Sequence, residues 1–390
     1  MKKDVKHDDI AVSLMMSDGV KYSQITKKSS EIFNIFIMLL NILILTLVVF
    51  VCAHNNTDTN LLTVFGNIRW EYILLIFAIL ILVLMLNVVP DSLLLYSKSK
   101  KVWFWRLLVD NIKISFFNKV TLCSTGGYSV SSVCLKKRGV DDKVSVDVSR
   151  SKKITNLIAV VLYSFLVVTI GSYLYFKNLN IIFFVATVVC FLILCIRLLF
   201  TLFIDKNRSR GVAIISGICK LLYKLRIIKD FDALYKKIIS EIVVANRALR
   251  SNGKIIATQI ITQIVGLFLK QFILYIILLM LNFDISGMFF EVLTVVAMFN
   301  VIISVWPLPA GTLVYEVLFV VIFNHIFLEG YVVWSLMLYR LFTYYFPIVC
   351  RYVIVLLEKL CFKKDLHDVW CKSFCYVDIE SKGTNLVEWS

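Results

Sequence analysis

Apolar runs long enough to cross a bilayer alternate with short polar segments along nearly the whole chain. Residues 32–53, 72–89, 154–176, 181–204, 255–281 and 331–357 each read as a membrane span, because about 20 apolar residues in a helix cross about 30 Å of hydrocarbon. Residues 102–117 fit less well: the run is short and aromatic-rich and carries Arg106, Asp110 and Lys113. Such a segment suits an interfacial or re-entrant helix. Residues 285–328 place two apolar arms around Trp306-Pro307-Leu308-Pro309-Ala310-Gly311, as either two full spans or a re-entrant pair. The pattern predicts an all-α polytopic membrane protein with about eight hydrophobic membrane segments.

Composition agrees, with 59% hydrophobic residues and a mean hydropathy of +0.84. The net charge of +16 is unevenly placed. Lys and Arg number six in residues 1–31, one in 54–71, thirteen in 96–153, one between the third and fourth spans, twelve in 205–254 and none in 282–286. Basic loops stay inside, so both termini and the loops 96–153 and 205–254 are expected on the cytoplasmic side of the cell membrane. The charge therefore reports topology, and no nucleic-acid binding is expected. The domain reading is a polar N-terminus over 1–31, a membrane domain over 32–357 and a cytoplasmic tail over 358–390. The run 32–53 is too long for the core of a cleavable signal and reads as a retained anchor. Within 205–254, residues 214–228 and 231–250 have amphipathic helical spacing, as in helices that lie in the headgroup layer or pack on neighbouring loops. Ten cysteines show no zinc spacing; His367, Cys371 and Cys375 share a helical face but are read as ordinary tail residues.

The stretch from Trp306 to Glu316 cannot be an ordinary helix. Pro307 and Pro309 remove two backbone donors and disfavour helical geometry in the residues before them, while Gly311 frees the chain to turn. Irregular backbone at membrane depth is tolerated where protein or a water-filled cavity covers it. Glu316, Arg340 and Lys270 are ionisable residues inside apolar segments, which usually mark a site. Pairing Glu316 with Arg340 or with Lys270 is the economical arrangement. In 255–281, Gln259, Thr262, Gln263, Gly266 and Lys270 form one polar stripe, expected to face the bundle interior. Arg197 lies nearer a span end and is expected to snorkel. Gly126 and Gly127, beside Ser124, Thr125 and Ser129, offer donors for a phosphate or else simply turn a loop. No nucleophile triad, zinc motif or nucleotide fingerprint is visible, so no catalytic residue, metal or cofactor is assigned.

Two motifs carry a family resemblance. Pro307, Pro309, Gly311 and Glu316 fill a pattern close to Pro-Thr-Pro-Gly-Gly-x-Gly-x-x-Glu, and Tyr339, Arg340, Tyr344 and Pro347 fill Tyr-Arg-x-x-x-Tyr-x-x-Pro. Upstream, Thr121, Gly126, Gly127, Leu135, Lys136, Lys137 and Gly139 match a third pattern. The chain thus resembles the lysylphosphatidylglycerol synthase transmembrane-region family, the flippase-like membrane domain of multiple-peptide-resistance proteins. It departs from the family at Leu122, Tyr128, Ser129, Ala310 and Leu313, which stand where the family has prolines, glycines or a polar residue. Only 33 residues follow Leu357, so the soluble aminoacyltransferase domain of full-length members is expected to be missing.

The resemblance implies a lipid translocator moving phospholipid, with aminoacylated phosphatidylglycerol as one substrate and cationic-peptide resistance as the output. The phosphate of an anionic or aminoacylated lipid is expected at Arg340 and Lys270, with Glu316 receiving any cationic group. Pro307, Pro309, Gly311, Tyr339, Tyr344, Gly126 and Gly127 complete the candidate substrate site. Two alternatives stand beside this reading. One is phosphatidylglycerol lysyltransferase activity with a separate catalytic chain or in a homo-oligomer; the other is a non-transporting scaffold.

Overall fold

The computed structural model describes residues 46, 68–98, 102–121, 126–175, 181–206, 253–283, 285, 287–306, 311, 314–323 and 329–363. The expected first span, the amphipathic segments in 205–254, Pro307, Pro309 and the tail with His367, Cys371 and Cys375 lie outside them. The described elements are all helical: α1 (Trp70–Ser97), α2 (Phe104–Val120), α3 (Gly126–Lys137), α4 (Asp142–Tyr175), α5 (Ile181–Lys206), α6 (Gly253–Met280), α7 (Phe289–Val305), α8 (Val314–Phe323), α9 (Glu329–Arg340) and α10 (Phe346–Lys363). A π-helical turn, Leu341–Tyr345, joins α9 to α10. Among the described residues, five helical stretches are long and apolar enough to cross a bilayer: Trp70–Ser97, Asp142–Ile170, Ile181–Leu199, Gly253–Met280 and Val332–Ile354. The all-α polytopic expectation holds.

Long apolar side chains stand exposed on the outer faces of the described helices, which is the surface a lipid solvent requires. On α5 these are Ile181, Ile182, Val185, Val189, Leu192, Ile193, Ile196 and Leu199, all exposed. Exposed Trp70 and Tyr96 stand near opposite ends of α1, about 39 Å apart along its axis. Aromatic residues favour the two membrane interfaces, and that separation is close to the full thickness of a bilayer with its headgroups.

Three boundaries differ from the sequence expectation. Pro90 does not end the second span but lies inside α1, which continues to Ser97. The extension is held because Leu94 and Leu95 are buried in a cluster with Leu107, Leu135, Val140 and Val148. Residues 96–153 are not a solvated basic loop: they supply α2, α3 and the first turns of α4. Their charges are placed by pairing, with Lys98 on Asp147 at 2.9 Å and Arg138 on Asp110 at 3.1 Å. Finally, α4 begins at Asp142, well before residue 154. Ser145, Asp147, Ser149, Arg150, Ser151 and Lys152 are buried there, because α1, α3 and α6 pack around this end of α4 rather than lipid.

Of the region 285–328, the described residues give α7 seventeen residues and α8 ten; residues 307–310, 312–313 and 324–328 lie outside them. Both helices are covered by protein: Phe299, Tyr315, Phe319 and Phe323 are buried in the main core with Ile273, Leu274, Val332, Leu336 and Tyr339.

Candidate functional site

The polar stripe of α6 faces inward, as expected. Gln259 and Gln263 are buried, and both meet α4. The Ser151 hydroxyl donates to Gln259 Oε1 at 2.8 Å, and Gln263 Nε2 donates to Thr155 Oγ1 at 3.1 Å. Deeper along the same two helices, Tyr163 donates its hydroxyl hydrogen to Gln271 Oε1. Polar side chains between membrane helices find partners in this way because hydrocarbon offers none.

Beside this stripe lies a cavity of about 560 Å³. Of the candidate residues, Lys270, Gly311, Tyr339, Arg340 and Tyr344 line it. Glu316 is absent from the lining and stands behind Arg340. Arg340 Nη2 is 2.6 Å from Glu316 Oε1, with side-chain exposures of 5% and 3%. The start of α8 favours the carboxylate, since Glu316 is in its first turn; Arg340 stands where α9 passes without a break into the π turn. The guanidinium also lies 3.7 Å from the centre of the Tyr315 ring, which stacks on Tyr339 at 6.1 Å. A desolvated cation over an aromatic face gains about 2 kcal/mol. With Glu316 occupied in this way, the expectation that it receives a cationic headgroup does not match the geometry. Lys270 does not share this carboxylate and is exposed to the cavity.

Gly311 has φ of +67°, and a Cβ there would come within 2.6 Å of Ile303 Cγ2. The turn between α7 and α8 therefore needs glycine on both conformational and steric grounds.

The span bearing Arg340 is interrupted in turn. Pro347 has no N–H to give to the carbonyl of Thr343, four residues earlier. The helix widens into the π turn there, and Lys119 from α2 donates to Thr343 O at 2.5 Å. Lys119 also lines the cavity. Nothing in its own surroundings singled it out in the sequence. Pro347 did imply an orphan carbonyl, but not which residue would answer it.

Gly126 and Gly127 have a different role from a phosphate cradle. They start α3, and neither lines the cavity. The Gly126 N–H donates to Thr121 Oγ1 at 2.9 Å. A Cβ on Gly127 would come within 2.2 Å of Asn118 Oδ1 and 2.6 Å of Ile114 O. The double glycine lets α3 approach α2 closely.

The family described as the lysylphosphatidylglycerol synthase TM region matches residues 38–350. The chain belongs to that family. No curated protein matches the chain, and no solved structure matches it either. Membership in the lysylphosphatidylglycerol synthase TM region, together with the apolar helices, makes this a multi-pass membrane protein of the lysylphosphatidylglycerol pathway. The matched stretch of the lysylphosphatidylglycerol synthase TM region includes each candidate site residue.

A second buried ion pair was not foreseen. Lys152 Nζ on α4 lies 2.6 Å from Asp91 Oδ2 on α1, and also donates to Asn111 Oδ1 at 3.0 Å and Asn87 O at 2.9 Å. Lys152, Asn87 and Asn111 line the same cavity, whereas Asp91 does not. Its members sit at the ends of apolar runs, where a loop position explains a charge well enough. The buried segment 142–153 gave no apolar signal by which to find it.

Proposed function

We propose that the cavity carries the phosphate-bearing headgroup of a phospholipid while its acyl chains remain in the surrounding hydrocarbon. One observation carries this reading: Arg340, paired with the buried Glu316 behind it, lines a cavity together with Lys119, Lys270 and Asn300 inside an otherwise apolar bundle, next to two interrupted helices. Ionisable groups beside broken helices near mid-membrane are where transporter sites form. Arg340 is held by Glu316 and Tyr315 at the cavity edge, so its guanidinium is pre-oriented. A planar guanidinium can grip phosphate oxygens in pairs. Lys270, on the facing helix, offers a point charge to the same phosphate. Family membership supports the lipid assignment, and the motion in question is transfer between leaflets.

The test is a reconstituted one. Proteoliposomes containing a tail-labelled fluorescent phospholipid report translocation when a membrane-impermeant reductant bleaches only the outer leaflet. The wild-type chain is expected to expose the inner-leaflet pool, and Arg340→Ala to expose none while remaining in the membrane fraction. Wild-type rates in Arg340→Ala would remove Arg340 from the path. No bleaching beyond protein-free vesicles with any phospholipid would remove translocation.

A further inference from the structure

We infer that the cavity selects lipid headgroups with a net negative charge and disfavours a lysylated one; this rests on the headgroup-translocation reading above. The described lining contains six basic side chains, Lys119, Lys152, Lys153, Arg197, Lys270 and Arg340, and no Asp or Glu. Asp91 and Glu316, which pair with the lining cations Lys152 and Arg340, are set behind them and are 7% and 3% exposed in their side chains. A headgroup entering the cavity therefore meets cations first, and the compensating anions lie in a second layer out of its reach.

Two of the six face the cavity without a carboxylate. Lys119 donates a hydrogen bond to the neutral carbonyl of Thr343, and no carboxylate among the described residues pairs with it or with Lys270. Lys119 bonds Thr343 and the Lys270 carbonyl accepts from the Tyr339 hydroxyl, which places both lysines beside Arg340. Like charges gathered at one end of a cavity repel one another and are relieved by an anion. The basic lining extends well beyond that end. Lys152 lies eleven residues before Tyr163 on α4, about 16 Å along the axis, and Tyr163 bonds Gln271, the neighbour of Lys270. A phosphate thus finds cations along the length of the path and not at one point only.

Phosphatidylglycerol carries one negative charge and suits this lining. Its lysyl ester carries the same phosphate plus two ammonium groups, hence one net positive charge, and the lining formed by the described residues offers those ammonium groups no carboxylate. The headgroup chemistry assigned is therefore the unmodified anionic phosphodiester. In reaction order, the chain would handle the acceptor lipid of an aminoacyl transfer rather than its product.

The experiment compares phosphatidylglycerol, lysylphosphatidylglycerol and phosphatidylcholine, each tail-labelled, in the same proteoliposomes, together with competitive retention of the first two on the purified chain. Phosphatidylglycerol is expected to move and to be retained at least about tenfold better than the lysyl ester, the effect of about 1.4 kcal/mol. Phosphatidylcholine is expected to fall between them. Lys270→Gln should narrow the gap and Lys270→Glu should close or reverse it, with both variants eluting as the wild type in detergent. Equal or better movement of the lysyl ester would overturn the selectivity and leave translocation standing. Equal retention of the two lipids would overturn it even in vesicles where nothing is moved.

Discussion

Two of the buried ion pairs, Lys152–Asp91 and Arg340–Glu316, put their cations on the same cavity yet are built differently. At Lys152–Asp91 the cation is saturated by neutral oxygens as well: Asn111 Oδ1 and the Asn87 carbonyl share the ammonium with the carboxylate. At Arg340–Glu316 the support comes from aromatic faces, with Tyr315 at 3.7 Å and Tyr344 at 5.5 Å from the guanidinium carbon. Asp91 Oδ1 and Glu316 Oε2 alike have no partner among the described residues, so the difference lies in what holds each cation. Multiple oxygen acceptors fix Lys152 in place. Ring faces and one carboxylate oxygen hold Arg340, whose side chain lines the cavity. The first arrangement belongs to a joint between helices, the second to a site.

That contrast can be broken by mutation. Arg340→Ala leaves Glu316 buried without its charge partner and is expected to cost about 3–5 kcal/mol, read as a fall in thermal midpoint in detergent, in addition to the loss of translocation. Asp91→Asn is expected to cost less, about 1–3 kcal/mol, because Lys152 retains two neutral acceptors. Its translocation rate should fall far less than that of Arg340→Ala. A larger loss at Asp91 than at Arg340 in both assays would reverse the assignment of site and joint. Lys119→Met exposes the Thr343 carbonyl to a site without a donor, and the cost should be about 1 kcal/mol, because burial of the lysine charge is relieved at the same time. Finally, Lys136–Asp142, with side chains 53% and 44% exposed, serves as the control: Lys136→Ala should change stability by no more than about 1 kcal/mol.

The membrane spans and the Arg340–Glu316 pair were legible in the sequence for one physical reason. Hydrocarbon penalises a charge so heavily that a lone Glu and a lone Arg in apolar runs have to be reconciled, and Pro307, Gly311 and Pro347 marked where the backbone would make room. Lys152 and Asp91 escaped because each lies at the margin of an apolar run, where water could have satisfied it. The same ambiguity turned residues 96–153 into a loop on paper. A helix buried by other helices needs no long apolar stretch, so the polar turns of α4 and the aromatic turns of α2 gave only weak periodic signals. The glycine pair was visible, but its purpose depends on Asn118 and Ile114 O lying within a few ångströms, a fact of packing that spacing does not contain.

The π turn has a consequence for the azimuth of everything after it. A turn of this kind accommodates one residue more than an α-helical turn, and each α-helical residue advances about 100°. Arg351, whose guanidinium carbon lies 3.8 Å over the Phe116 ring, therefore owes its bearing to Leu341–Tyr345. Winding those five residues into α geometry without removing one would swing Arg351 about a quarter-turn off α2, whereas excising one of them as the turn becomes α-helical would leave its bearing nearly unchanged. The spacing from Arg340 to Pro347 acts as a phase setting, and a single-residue deletion inside the π turn should be less damaging than one in the α-helical turns on either side.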